Sequence, residues 1–89
     1  MPTREIQIVN EKGMHARAAA VFTRVASKFK SGIFVARDGM EVNGKSIMGL
    51  LTLAAYCGST IVVRAEGDDA EDALDTIQAL VEDRFGEEA

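Results

Sequence analysis

Hydrophobic periodicity narrows the folds open to this chain more than any other feature. It switches between the strand period of two and the helical period of 3.6 several times within 89 residues. Arg4 to Asn10 alternate, with Ile6 and Ile8 on one face and Glu5 and Gln7 on the other, which predicts a half-buried strand. Glu11-Lys12-Gly13 reads as a turn. From Ala16 to Phe29 the spacing becomes helical: Ala19, Phe22, Ala26 and Phe29 share one stripe, with Val25 beside it. Ser31-Gly32 ends that helix. Ile33 to Arg37 and Met40 to Asn43 are two strands joined by Asp38-Gly39, a pair suited to a tight hairpin turn. Ser46 is placed to cap a short helix from Ile47 to about Ala55, closed off by Gly58. Thr60 to Glu66 is a fourth strand, with Ile61, Val63 and Ala65 on one face. Asp68 and Asp69 open a last helix, where Ala70, Ala73, Leu74, Ile77, Leu80 and Val81 keep helical spacing and Gly86 lies past the end. The predicted order is β-α-β-β-α-β-α, an α+β fold in which helices cover one face of an antiparallel sheet.

A chain of 9.6 kDa is expected to form one domain over residues 1–89. With 47% hydrophobic and 27% charged residues it belongs among globular rather than disordered sequences. Cys57 is the only cysteine, so no disulfide forms within the chain and cysteine-only metal sites are excluded. No metal or cofactor is expected. The uncharged run Ile47 to Val63 falls short of the ~20 apolar residues of a membrane span and is broken by Gly58, Ser59 and Thr60. The N-terminus has no apolar core of the signal-peptide kind, so a cytoplasmic location is the default.

The net charge of −4 hides an asymmetry. Lys12, Arg17, Arg24, Lys28, Lys30 and Arg37 follow one another with no acidic residue between them, whereas residues 65–89 are strongly acidic. Solvated faces on opposite helices would produce this, and so would a local positive field for an anion or an acidic partner. No aromatic stacking pattern interleaves the basic residues, so nucleic acid is not an expected partner.

The only histidine, His15, stands between Gly13 and an alanine-rich helix in the run Gly13-Met14-His15-Ala16-Arg17-Ala18-Ala19. This puts the imidazole at a helix N-terminus, where free N–H groups and the dipole favour an anion. A neutral imidazole can act as a nucleophile. A phosphate on it would meet backbone donors and the guanidinium of Arg17, whose geometry suits phosphate. The plainer reading makes His15 a helix-boundary residue.

Gly13-Met14-His15-Ala16-Arg17-Ala18-Ala19 resembles the active-site signature of the HPr family, the histidine-containing phosphocarriers of the bacterial phosphoenolpyruvate-dependent phosphotransferase system. Asn43-Gly44-Lys45-Ser46-Ile47-Met48-Gly49-Leu50 resembles that family's second signature, and the gap, length and element order match. The resemblance implies an open-faced β-sandwich, a four-stranded antiparallel sheet covered on one face by three helices. It implies that His15, through Nδ1, takes phosphate from phosphorylated enzyme I and passes it to an enzyme IIA domain or a regulatory equivalent, with Arg17 holding the phosphate. Ser46 becomes a candidate for regulatory phosphorylation by an HPr kinase/phosphorylase. A monomer that carries phosphate rather than turning over substrate is expected. The family has proline where this chain has Ala18. Alanine keeps the helix and restores one N–H.

Two further patterns bear on function. Gly39-Met40-Glu41-Val42-Asn43-Gly44-Lys45-Ser46 matches the nucleotide-binding P-loop pattern, but its interior alternates as a strand and no aspartate ends the later strand Ile61-Val62-Val63-Arg64. In the helix after Ser46, Leu50, Leu53 and Ala54 are expected inside, leaving Ile47, Met48 and Leu51 on another face. Ala20 and Val21 lie on the same side of the first helix as Arg17 and Arg24. These residues read either as satellite core or, with the resemblance, as a docking surface for acidic partners. Cys57 is expected to be a small buried or half-buried residue. The competing function for the same element order is a small ligand-binding regulatory domain without phosphotransfer, which has no need of His-x-Arg at a helix start.

Overall fold

The computed structural model describes residues 2–89. Four strands and three helices follow in the predicted order: β1 (Thr3–Gln7), α1 (Ala16–Ala26), β2 (Gly32–Arg37), β3 (Met40–Asn43), α2 (Ile47–Thr52), β4 (Thr60–Glu66) and α3 (Ala70–Glu82). A one-turn 3-10 segment, Arg84–Gly86, follows. The strands form one antiparallel sheet in the order β1-β4-β2-β3.

Alternation fixes which face is buried. Ile6 on β1, Ile33 and Val35 on β2, and Ile61, Val63 and Ala65 on β4 all point into one core. They meet Ala19, Phe22 and Ala26 of α1, Leu50 of α2, and Ala73, Leu74, Ile77 and Val81 of α3. Burying the Val, Leu, Ile and Phe side chains among them contributes about 1.5–3 kcal/mol each before conformational entropy is counted. On the opposite sheet face the Arg64 guanidinium lies 4.3 Å from the centroid of the Phe34 ring and pairs with Glu41 and Glu66. The result is an open-faced α+β sandwich.

Element ends depart from the periodicity where tertiary contacts win. The first strand was expected to reach Asn10, yet regular pairing stops at Gln7; Ile8 stays fully buried and bonds the turn before β4 through Ser59 O and Gly58 N. α1 stops at Ala26, and Lys28 and Phe29 close i−3 bonds instead; Lys45 Nζ then donates to Phe29 O at 2.8 Å. The P-loop lysine is thus engaged with a backbone carbonyl, and residues 40–43 are strand, as their alternation predicts. Asp38 and Gly39 take φ of 52° and 85°, the left-handed pair a tight hairpin turn requires.

Candidate functional site

Gly13, Met14 and His15 lead the chain into α1, and each is held by backbone bonds. Gly13 has φ +64°. Its N–H donates to Asn10 O, and the Asn10 side-chain amide donates to Gly13 O at 2.9 Å. The Met14 N–H donates to Ala55 O at 2.8 Å, fastening this segment to the loop after α2. His15 is the N-cap residue of α1, with extended backbone, and its carbonyl accepts from Ala19 N at 2.8 Å. Its side chain makes no capping bond, so the imidazole is left for other contacts. The first-turn N–H groups have no intrahelical acceptor, and that turn carries no acid. The helix end remains positive.

The His15 side chain is 27% exposed, and its Nε2 stands 2.5 Å from Oε2 of Glu87. The other Glu87 oxygen accepts from Asn10 Nδ2 at 2.9 Å. Burial pushes the Glu87 carboxyl up; the hydrogen bonds from the Asn10 amide and His15, with the electrostatic attraction of His15 and Lys12 nearby, outweigh it and hold the group below its ordinary 4.5. A cleft of about 370 Å³ opens here, lined by Glu11, Lys12, His15, Arg17, Glu87 and Glu88 among others. Arg17 is exposed in it and makes no hydrogen bond or ion pair with the described residues. Ala18 is fully buried.

Ser46 is the N-cap of α2, and its Oγ accepts from Gly49 N at 3.1 Å. α1 and α2 pack against each other. Ile47 and Met48 are exposed, Met48 at 76%; Leu51, Ala20 and Val21 are half-buried and Arg24 is exposed. Two expectations fail in the next segment. Ala54 is exposed rather than inward, because it takes φ +50° and turns the chain out of the helix, and Ala55 fills the buried place instead. Cys57 is exposed, carried to the surface by the same reversal. The Arg37 guanidinium covers the neighbouring Tyr56 ring at 4.8 Å.

Two residues at the histidine escape a reading of the sequence. Asn10 opens a turn containing Gly13, which signals a turn residue but not a partner for a carboxylate. Glu87 lies past the last helix with no local signal at all. Of the two only Glu87 touches the imidazole; Asn10 acts on it through the other Glu87 oxygen.

A model of the PTS HPr component phosphorylation site matches residues 2–83. Fold and match together define a small phosphocarrier component of the phosphotransferase system. The chain is 44% identical over 87 residues to the phosphocarrier protein HPr of Cupriavidus necator, covering 98% of each. It superposes on HPr-C-His from Thermoanaerobacter tengcongensis with a TM-score of 0.96 and 46% identity, covering 100% of both chains. The HPr dimer of that organism aligns with a TM-score of 0.78 over 98% of this chain and 100% of that chain, at 46% identity. The chain belongs to the HPr family. Among the described residues no helix is long and apolar enough to cross a membrane.

Proposed function

We propose that residues 1–89 act as one monomeric, cytoplasmic carrier domain. His15 accepts a phosphoryl group from phosphorylated enzyme I, with phosphoenolpyruvate as ultimate donor. It delivers that group to an enzyme IIA-type acceptor or regulatory equivalent. The observation that carries this reading is His15 at the N-cap of α1, its side chain free of capping duty and facing a cleft that also holds Arg17. A phosphate there meets the open N–H groups of the first turn and a guanidinium of fitting geometry. The chain is then a substrate of other enzymes, not a turnover enzyme. Ala20, Val21, Arg24, Ile47, Met48 and Leu51 form the docking surface, and phosphorylation of Ser46 by a dedicated kinase modulates it.

Little favours the ligand-binding alternative. The cleft is lined by Glu11, Lys12, His15, Arg17, Glu87 and Glu88 with no apolar side chain larger than that of Ala89, whereas small-molecule sites are lined mainly by hydrophobic and aromatic side chains. The deciding experiment mixes the protein with enzyme I and phosphoenolpyruvate. One acid-labile phosphate is expected on the wild type and none on His15→Ala, which keeps its fold. Undiminished labelling of that variant refutes the assignment. Sedimentation at several concentrations tests the monomer.

A further inference from the structure

Glu87 reaches His15 by a backbone reversal that the chain makes at some conformational cost. Arg84, Phe85 and Gly86 take φ of 57°, 55° and 80°, three left-handed residues in succession. Two of them carry side chains for which that region costs on the order of 1–2 kcal/mol each. Burial of Phe85 in the core offsets this. The chain thereby folds back from the end of α3 and sets the Glu87 carboxylate against Asn10 and His15.

The geometry at the imidazole is specific. Asn10 is fully buried, and its Nδ2 donates to both Gly13 O and Glu87 Oε1, each at 2.9 Å. The amide is oriented by the first bond and fixes the carboxylate by the second. Oε2 of Glu87 then faces His15 Nε2 at 2.5 Å, while the Glu87 side chain is only 15% exposed. An ionised carboxylate only accepts hydrogen bonds, and a neutral imidazole carries a proton on one nitrogen. The contact is therefore made with the proton on Nε2. Nδ1 has no hydrogen-bond partner among the described residues and keeps its lone pair.

We propose that Glu87 is a positioning residue for His15, holding the ring in the tautomer that makes Nδ1 the nucleophile. This rests on the reading of His15 as phosphoacceptor. In the transfer step the Nδ1 lone pair forms the N–P bond as the bond from phosphorus to the phosphoryl donor breaks, and the donor keeps that electron pair. The Nε2 proton stays where it is. The ring gains positive charge, and the Glu87 carboxylate, already in place, offsets it without reorganisation. On onward transfer the same proton keeps the ring a good leaving group, since Nδ1 departs with the N–P electron pair as a neutral imidazole.

The test exploits the direction of the bonds at Asn10, whose amide donates both to Gly13 O and to Glu87. In Glu87→Gln the Asn10 amide still donates, so the new side chain must turn its carbonyl oxygen to Asn10 and its NH₂ to His15. Nε2 must then accept, and the ring proton moves to Nδ1. Glu87→Ala removes the contact and lets the ring take its solution preference. Nitrogen-15 NMR of the imidazole at neutral pH reads the proton directly. Nε2–H is expected in the wild type and Nδ1–H in Glu87→Gln, with both variants folded by amide spectra. Enzyme I-dependent phosphorylation of His15 should be slower in Glu87→Gln than in Glu87→Ala, by at least about tenfold; a misplaced histidine proton can cost on the order of 10⁴ in rate. A Glu87→Gln ring that keeps Nε2–H, or a Glu87→Gln protein that takes phosphate as fast as Glu87→Ala, overturns the inference. A wild type that takes no phosphate refutes the carrier reading instead, and the NMR measurement still decides the Glu87 contact.

Discussion

Gly13 packs directly on the backbone of Ala55. A Cβ at Gly13 would stand 2.5 Å from the Ala55 carbonyl oxygen, the same oxygen that accepts the Met14 N–H at 2.8 Å. The segment entering α1 and the loop leaving α2 are therefore joined at one carbonyl. Both sides of that joint use left-handed backbone, Gly13 at φ +64° and Ala54 at φ +50°. Anything that opens the joint displaces His15, two residues away.

Gly13→Ala tests the joint. Alanine disfavours the left-handed region by about 1–2 kcal/mol, and the clash is with backbone, which cannot swing aside. A loss of stability on the order of 2–4 kcal/mol is expected in urea unfolding, adding local strain to the φ penalty. His15 phosphorylation should slow as well. A variant as stable as wild type would show that the loop yields freely.

Arg17 is expected to matter for transfer and not for folding. It is exposed and unbonded among the described residues, so Arg17→Ala should change stability by no more than about 0.5 kcal/mol. Loss of a charge-assisted bond to phosphate, worth about 1.5–3 kcal/mol, should slow transfer roughly tenfold to a hundredfold. Unchanged transfer rates would mean that helix N–H groups alone hold the anion.

Asp69 gives stability a pH dependence. The Ser31 hydroxyl donates to its carboxylate, as do the N–H groups of Lys30 and Ser31 at 2.9 Å each. The Ser31 hydroxyl is the largest influence, and with the backbone donors it holds the group below its ordinary 3.8 against the opposing effect of burial. A carboxyl depressed in the folded state stabilises fully above its unfolded value, and that stabilisation is lost as pH falls through the folded one. Unfolding free energy should therefore drop on acidification from about pH 4 downward, joined by the similarly depressed Glu87. Asp69→Asn should be less stable at neutral pH and flatter over that range. Parallel acid limbs for the two proteins would assign the dependence elsewhere.

Much of this architecture could be read from the residues because patterning and burial agree. β3 and β4 run from the first to the last alternating residue, and Asp38-Gly39 turns as its chemistry demands. Ser46 caps α2 through Gly49 N, as a serine before a helix should. The failures have one cause. Nothing in Ala54-Ala55 marks a left-handed exit from α2; the need to present Ala55 O to Met14 imposes it. Asn10 and Glu87 meet across 77 residues, through a reversal at Arg84 and Phe85 that local propensity disfavours. Local signals single out His15 and Arg17 as candidates, but a contact made only by the closed fold lies beyond such signals.

Ser46 separates a structural role from a regulatory one. Its Oγ accepts the Gly49 N–H, which satisfies one orphan donor of α2. Aspartate is as good an N-cap as serine, and a negative charge at a helix N-terminus is stabilised by the dipole. Ser46→Asp should therefore leave the melting temperature unchanged or slightly raised. Its neighbours set a different consequence for docking. Ile47 and Met48 follow directly and are 42% and 76% exposed. A partner that covers them must also desolvate whatever stands at residue 46. A carboxylate there, or a phosphate of roughly −2 charge, has no cation of α2 to offset that burial, since Ile47–Thr52 contains no basic residue and the neighbouring Lys45 Nζ is bonded to Phe29 O. Ser46→Asp should take phosphate on His15 more slowly than wild type at low enzyme I concentration, with the difference shrinking as enzyme I is raised, because binding rather than chemistry is weakened. Equal rates at every enzyme I concentration would leave Ser46 a cap and nothing more.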